Sequence, residues 1–196
     1  MSTNKKNRHL SKFLSLVLRH KPETIDLKLD EYGWADVEKL LSKMHEAQKQ
    51  IDLALLKEIV ATNDKQRFTF NSDYSKIRAN QGHSIEIDLD LKPIQPPSTL
   101  YHGTSDKSID SILQTGLEKR NRQHVHLSSD LETASKVGQR HGKLILLQVE
   151  SGKMYEDGHL FYQSKNGVWL TDAVACLLYT SPSPRDLSTS RMPSSA

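Results

Sequence analysis

The stretch RFTFNSDYSKIRAN, residues 67–80, decides how the first half of this chain is read. Before it, apolar residues recur at helical spacing. Within it the period drops to two, and the polar turn Asn71-Ser72-Asp73 divides the run into two short strands. Upstream, Leu53, Leu56, Ile59 and Val60 mark a helix in IDLALLKEIVATND (51–64). Val37, Leu40, Leu41 and Met44 mark another in YGWADVEKLLSKM (32–44), entered by a turn at Gly33 and anchored by Trp34. Leu10, Phe13, Leu14 and Val17 mark the first, over residues 5–20.

Three helices followed by a β-hairpin outline a winged-helix module, which binds nucleic acid in some proteins and only protein in others. The first helix ends unusually. In SKFLSLVLRHKPE (11–23) the apolar run hands over to Arg19-His20-Lys21 before Pro22 stops it. Cations near a helix C-terminus are favoured by the macrodipole, and a proline just beyond is a common stop, so capping alone accounts for these residues locally.

Downstream, LKPIQPPSTL (91–100) holds Pro93, Pro96 and Pro97 and reads as a stiff linker. The second half alternates between strand and helix. LYHGT is a strand, DKSIDSILQTG a helix stopped by Gly116, and HVHLS a strand. DLETASKVGQRHG is a helix ending by Gly142, KLILLQVE a buried strand, and HLFYQSKNGVWLT two strands around Lys165-Asn166-Gly167. The predicted class is α+β, with a first lobe over 1–91, a linker over 92–98 and a second lobe over 99–175.

The last stretch, CLLYTSPSPRDLSTSRMPSSA (176–196), is Ser/Pro-rich and aperiodic. It resembles the translation of a sequencing adapter, and is expected to be non-native and to stand outside the fold. It carries the one cysteine, Cys176; without it the formal charge falls from +3 to +2, so the basic character persists.

Composition narrows the function classes. The chain has 196 residues, 36% of them hydrophobic and 26% charged, as in an ordinary globular protein. No apolar run approaches the roughly 20 residues of a membrane helix, and no signal-peptide core follows the N-terminus. A cytoplasmic, monomeric protein is expected. Residues 1–22 hold Lys5, Lys6, Arg8, Lys12, Arg19 and Lys21 with no acidic residue, which suits a polyanion.

No GxGxxG, GxxxxGK[ST] or HExxH is present. His124 and His126 alternate on one strand without further ligands at metal spacing, so no metal is expected. What remains is a scatter of Arg and His at element ends: Arg19-His20, Arg67, Arg78, Arg122 and Arg140-His141. Several guanidinium forks can clamp a phosphate bidentately, and imidazole moves protons near neutral pH. In LYHGT, Gly103 allows close backbone approach of a ligand.

The segments SKFLSLVLRHKPE, GWADVEKLL, VATNDKQRF, IRANQGHS, LYHGT, VHLSSD, VGQRHG and NGVWLT, in this order from about Leu10 to Thr171, resemble the RNA 2′-phosphotransferase family. The resemblance implies an N-terminal winged-helix lobe and a C-terminal ADP-ribosyltransferase-like lobe that binds NAD, consumed as co-substrate. It implies an RNA partner carrying an internal 2′-phosphate. That phosphate attacks C1″ of NAD and expels nicotinamide; the 2″-hydroxyl then attacks phosphorus, releasing 2′-hydroxyl RNA and ADP-ribose 1″,2″-cyclic phosphate. The implied catalytic set is Arg19, His20, Arg67 and Arg122. On the NAD side the resemblance points to His102, Gly103, Thr104, His126, Ser128, Arg140, Asn166 and Gly167. Candidate RNA contacts are Lys12, Lys21, Arg78 and His83. Two other functions fit such a chain: an ADP-ribosyltransferase that stops at terminal nucleic-acid phosphates or protein, and a non-catalytic winged-helix regulator.

Overall fold

The computed structural model describes residues 3–63, 65–140, 142–175 and 179–180. The chain forms two compact units. The first comprises residues 1–92 together with the short segments 120–123 and 164–166; the second comprises 93–119, 124–163 and 167–196.

In the first unit, α1 (Thr3–Arg19), α2 (Val37–Glu46) and α3 (Leu53–Ala61) pack with β1 (Ala35–Asp36), β2 (Phe68–Phe70) and β3 (Lys76–Ala79). The strands form one antiparallel sheet in the order β1-β3-β2, with Phe68 opposite Ala79 and Phe70 opposite Ile77. Aspartates start two of the helices: the Asp36 carboxylate accepts from Lys39 N and that of Asp52 from Leu55 N, each satisfying a donor the helix leaves unpaired. The core is Leu10, Leu14, Val17 and Leu18 of α1 against Leu40, Met44, Leu56, Ile59, Phe68 and Ile77. β1 and a short 3-10 turn at Pro22–Ile25 are too brief to carry a period in the sequence.

The second unit contains β4 (Leu100–Ser105), α4 (Asp106–Thr115), β5 (Leu117–Glu118), β6 (Val125–Leu127), α5 (Leu131–Gly138), β7 (Leu144–Val149), α6 (Ser151–Glu156), β8 (Tyr162–Gln163), β9 (Trp169–Thr171), β10 (Ala173–Val174) and β11 (Tyr179–Thr180). β4 pairs along its whole length with β7, β11 adds to the other edge of β7, and β6-β9-β8 form a second antiparallel sheet. A single bridge, Tyr101 to Ser128, joins β4 to the chain just past β6. The core gathers Leu100, Leu127, Leu147, Val149, Met154, Phe161 and Trp169. Gly116, at φ +82, ends α4, and a Cβ there would lie 2.3 Å from the Val174 carbonyl.

Helix α5 stops at Gly138, four residues short of the Gly142 expected as its end. Of the tail, Tyr179–Thr180 pair with Val149 and Gln148 of β7. Cys176 and residues 181–196, where a non-native segment was expected, lie outside the described residues. Among the described residues no helix is long and apolar enough to cross a membrane.

Candidate active site

Three arginines of the first unit act on one another. Arg19 closes α1, with its guanidinium Nη2 donating to the Arg67 carbonyl at 3.3 Å and its plane 5.9 Å from the Phe68 ring. The Arg67 carbonyl also accepts from Asn80 N at 2.9 Å, so it ties α1 to the sheet. Arg19 Nε is buried without a hydrogen-bond partner among the described residues. Burial, then Arg67, then Arg122 bring the Arg19 pKa down to about 10. Each of these influences opposes the charge. A half-buried guanidinium pressed by two more cations is stabilised by an anion, and its fork matches phosphate oxygens.

His20 follows directly, with Nδ1 3.0 Å from the Ser84 hydroxyl. Its pKa is lowered, first by burial and then by Arg19 and Arg122. The neutral imidazole is therefore favoured, able to give one proton or hydrogen bond and to accept another.

Arg67 sits on a loop built by Asn63. The Asn63 Oδ1 accepts from Lys65 N at 3.2 Å, Arg67 N at 3.3 Å and Arg67 Nη1 at 3.2 Å, while its Nδ2 donates to Ser11 Oγ of α1 at 3.0 Å. Arg122 belongs to the 120–123 segment, docked by Gln123 N to the His83 carbonyl at 3.2 Å and by Gln123 Nε2 to the Ile87 carbonyl at 2.7 Å. Asn63, Ser84 and Gln123 escaped the sequence reading. The Asn–x–x–x–Arg spacing in NDKQR was the available signal, since Asn side chains commonly hold the backbone that follows them.

The expected RNA contacts divide. Lys12 and Lys21 are exposed and available. Arg78 is engaged instead in packing: its guanidinium lies 4.6 Å from the Trp34 ring centroid and donates to the Tyr32 carbonyl. His83 is not on the surface at all. It is 1% exposed, beside Gly33, with neither ring nitrogen in a hydrogen bond of good geometry. Burial, with Arg19, His20 and Arg78, takes its pKa down to about 3, against a small opposing influence of the Leu18 backbone. The imidazole is an internal peg of the turn after β3.

In the second unit, His102, Gly103 and Thr104 lie on β4. Tyr101 and Ser128 exchange both backbone hydrogen bonds at 2.8 Å, so the peptide groups of Tyr101 point away from β7. Gly103, two residues on, shares that orientation. No further bridge joins β4 to β6, and the His102 ring spans the gap instead, its Nδ1–H donating to the His126 carbonyl at 3.0 Å. Gly103 thus turns its backbone N–H and C=O away from β7. With Nδ1 carrying the proton, Nε2 is the acceptor of the neutral His102 ring. A Cβ at Gly103 would stand 1.8 Å from the Ala134 carbonyl, so α5 packing requires glycine there.

The remaining residues that the resemblance points to are held as follows. Thr104 is only 8% exposed and faces inward. Arg140 is exposed beyond the end of α5. Asn166 lies in the first unit, with Nδ2 donating to the Lys65 carbonyl at 2.8 Å and Oδ1 accepting from Ser164 Oγ. It braces the Arg67 loop. Gly167, at φ +77 with open space around it, completes the turn. Among the described residues no group of three or more His, Cys, Asp or Glu could hold a metal ion.

An α+β chain that brings two further arginines to bear on a half-buried guanidinium suits a protein that handles phosphate. The model of the RNA 2'-phosphotransferase, Tpt1 / KptA family matches residues 5–173. A probable RNA 2'-phosphotransferase of Hahella chejuensis is 54% identical over 183 residues, covering 91% of this chain and 98% of the relative. Proteins of the same description from Flavobacterium johnsoniae and Fusobacterium nucleatum are 56% and 52% identical, covering 84% of this chain and 91% and 93% of theirs. The chain belongs to the Tpt1/KptA family of RNA 2′-phosphotransferases and is an enzyme of that activity.

Proposed function

We propose that the enzyme removes an internal 2′-phosphate from RNA at the expense of NAD, yielding 2′-hydroxyl RNA, nicotinamide and ADP-ribose 1″,2″-cyclic phosphate. The observation that carries the reading is Arg19, half-buried with its Nε enclosed and pressed by Arg67 and Arg122, its pKa lowered to about 10. Such a charge gains most when a phosphate arrives. In this reading the first unit is a winged-helix RNA-binding module, with Lys12 and Lys21 on its exposed surface. The second is an ADP-ribosyltransferase-like NAD module. The protein works as a cytoplasmic monomer.

NAD supplies the electrophilic ribose carbon and, once nicotinamide has left, the neighbouring hydroxyl that attacks phosphorus. The chain's residues do the rest. Gly103 offers its backbone donor and acceptor to the carboxamide, and His102 Nε2 accepts from a ribose hydroxyl. Arg19, Arg67 and Arg122 hold the RNA phosphate and offset the charge that builds on it during the second step. Asn63 and Asn166 keep Arg67 in place. His20, neutral at working pH, donates to a phosphate oxygen or to the departing RNA 2′-oxygen.

The test is incubation of purified protein with a 2′-phosphorylated RNA and NAD, following RNA and nucleotide products together. Formation of 2′-hydroxyl RNA with equimolar cyclic phosphate supports the reading. ADP-ribosylated RNA as the end product would instead mark a transferase that stops after one step. Binding without turnover would mark a regulator.

A further inference from the structure

The turn after β3 reaches back to the end of α1 and contacts it repeatedly. Ser84 N donates to the Arg19 carbonyl at 2.9 Å, securing a group that the helix end leaves open. Gly82, at φ +84, brings the backbone to Arg19, where a Cβ would lie 3.5 Å from Nη1. His83 pegs the turn into the interior, and its carbonyl receives Gln123 N from the segment bearing Arg122. Ser84 is thus held from two sides, and from that position its hydroxyl meets His20 Nδ1 at 3.0 Å. The His20 backbone is fixed as well, its N–H donating to the Leu16 carbonyl at 3.0 Å. Only the ring's rotation and its tautomer remain to be set.

We propose that Ser84 is the positioning residue of His20: its hydroxyl donates to Nδ1, and so holds the neutral ring as the tautomer that presents Nε2–H to the RNA phosphate. The inference rests on the reading of His20 given above. A neutral imidazole carries one N–H, and phosphate and 2′-oxygen atoms are acceptors in this contact. Nε2 must therefore hold the proton and Nδ1 the lone pair. A lone pair needs a donor, and the serine hydroxyl, which rotates freely, supplies it. The charged and titratable groups that act on the ring, Arg19 and Arg122, favour its neutral form, and His83 beneath is neutral too. Ser84 is what distinguishes one ring nitrogen from the other.

The test uses the full chain with nitrogen-15-labelled histidine. Among its nine histidines, the His20 ring is assigned by the signals lost in His20→Ala. In the unsubstituted protein at neutral pH, two-bond proton–nitrogen spectra should show Nδ1 bare and Nε2 protonated. Ser84→Ala keeps the backbone N–H to Arg19 and should melt normally. It should give mixed tautomers and slow conversion of the ADP-ribosylated intermediate about tenfold, the worth of one hydrogen bond. Ser84→Thr should restore both. A protonated Nδ1 in the unsubstituted protein overturns the proposal. So does Ser84→Ala with unchanged tautomer and rate, or a lowered melting temperature that Thr does not repair. Normal turnover in His20→Ala overturns the reading of His20 itself; a trapped intermediate there, with Ser84→Ala unaffected, removes Ser84 alone.

Discussion

Lowering the pH from about 7 to about 5 should destabilise the first unit by about 2 kcal/mol through His83 alone. The ring is 1% exposed, and burial with Arg19, His20 and Arg78 brings its pKa to about 3. In the unfolded chain it returns to the usual value of about 6.5. Between those two values the unfolded state binds a proton that the folded state refuses, so stability rises with pH. It is complete above about 6.5 and is lost progressively as the pH falls toward about 3, at up to about 1.4 kcal/mol per pH unit.

His20 and His124, both lowered chiefly by burial, add in the same direction. The carboxylates intrude little in this window. Asp73 is lowered by the Ser75 hydroxyl and backbone, and Asp30, which burial raises, is lowered on balance by Trp34 N–H, Lys76 and Tyr32 N–H. Their stabilisation is lost only below the ordinary carboxylate range of about 4. The assay is urea unfolding at both pH values for the unsubstituted protein and for His83→Leu, with His83→Gln as a second, polar replacement. Neither variant titrates at this position, so the difference between their pH slopes and that of the parent isolates His83. His83→Leu should also be no less stable near neutral pH, since it removes buried ring nitrogens that lack good partners. Equal pH slopes in parent and both variants would refute the reasoning.

Arg67→Ala or Arg122→Ala should slow the second step by about 10²–10³ and leave ADP-ribosylated RNA in gels of quenched reactions; unaltered turnover in both would remove the arginines from the site. Asn63→Ala deprives Lys65 N, Arg67 N and Arg67 Nη1 of a shared acceptor and should destabilise by about 1–3 kcal/mol, with a slower second step. Asn63→Asp, which keeps the acceptor, should recover the rate in the same quenched-flow assay. Gly103→Ala sets a Cβ against the Ala134 carbonyl and should destabilise the second unit by about 3 kcal/mol or more, seen as a lower unfolding midpoint.

The helices and the hairpin of the first unit are legible because their apolar positions follow one period over most of each element. β5, α6 and β10 hold two, six and two residues, too few for a period to emerge. The site divides on the same principle. Arg19 and His20 stand out because they interrupt an amphipathic helix at its last turn. The return of 120–123 to the first unit has no such mark. These four residues lie between β5 and β6, and they are tied back by Gln123, whose backbone N–H donates to the His83 carbonyl and whose side chain donates to the Ile87 carbonyl, a partner that sequence spacing does not announce. Asn166 is legible in part: Lys165-Asn166-Gly167 reads as a hairpin turn, and it is one, but nothing local announces that its side chain donates to the Lys65 carbonyl, 101 residues away in sequence. That His83 is internal is not legible, because a polar residue in a loop is ordinarily solvated. Residues expected to touch substrate are visible as charges at element ends. Those that fix them in place, Asn63 and Ser84, are ordinary turn residues in the sequence, and their roles follow from distances that the sequence does not encode locally.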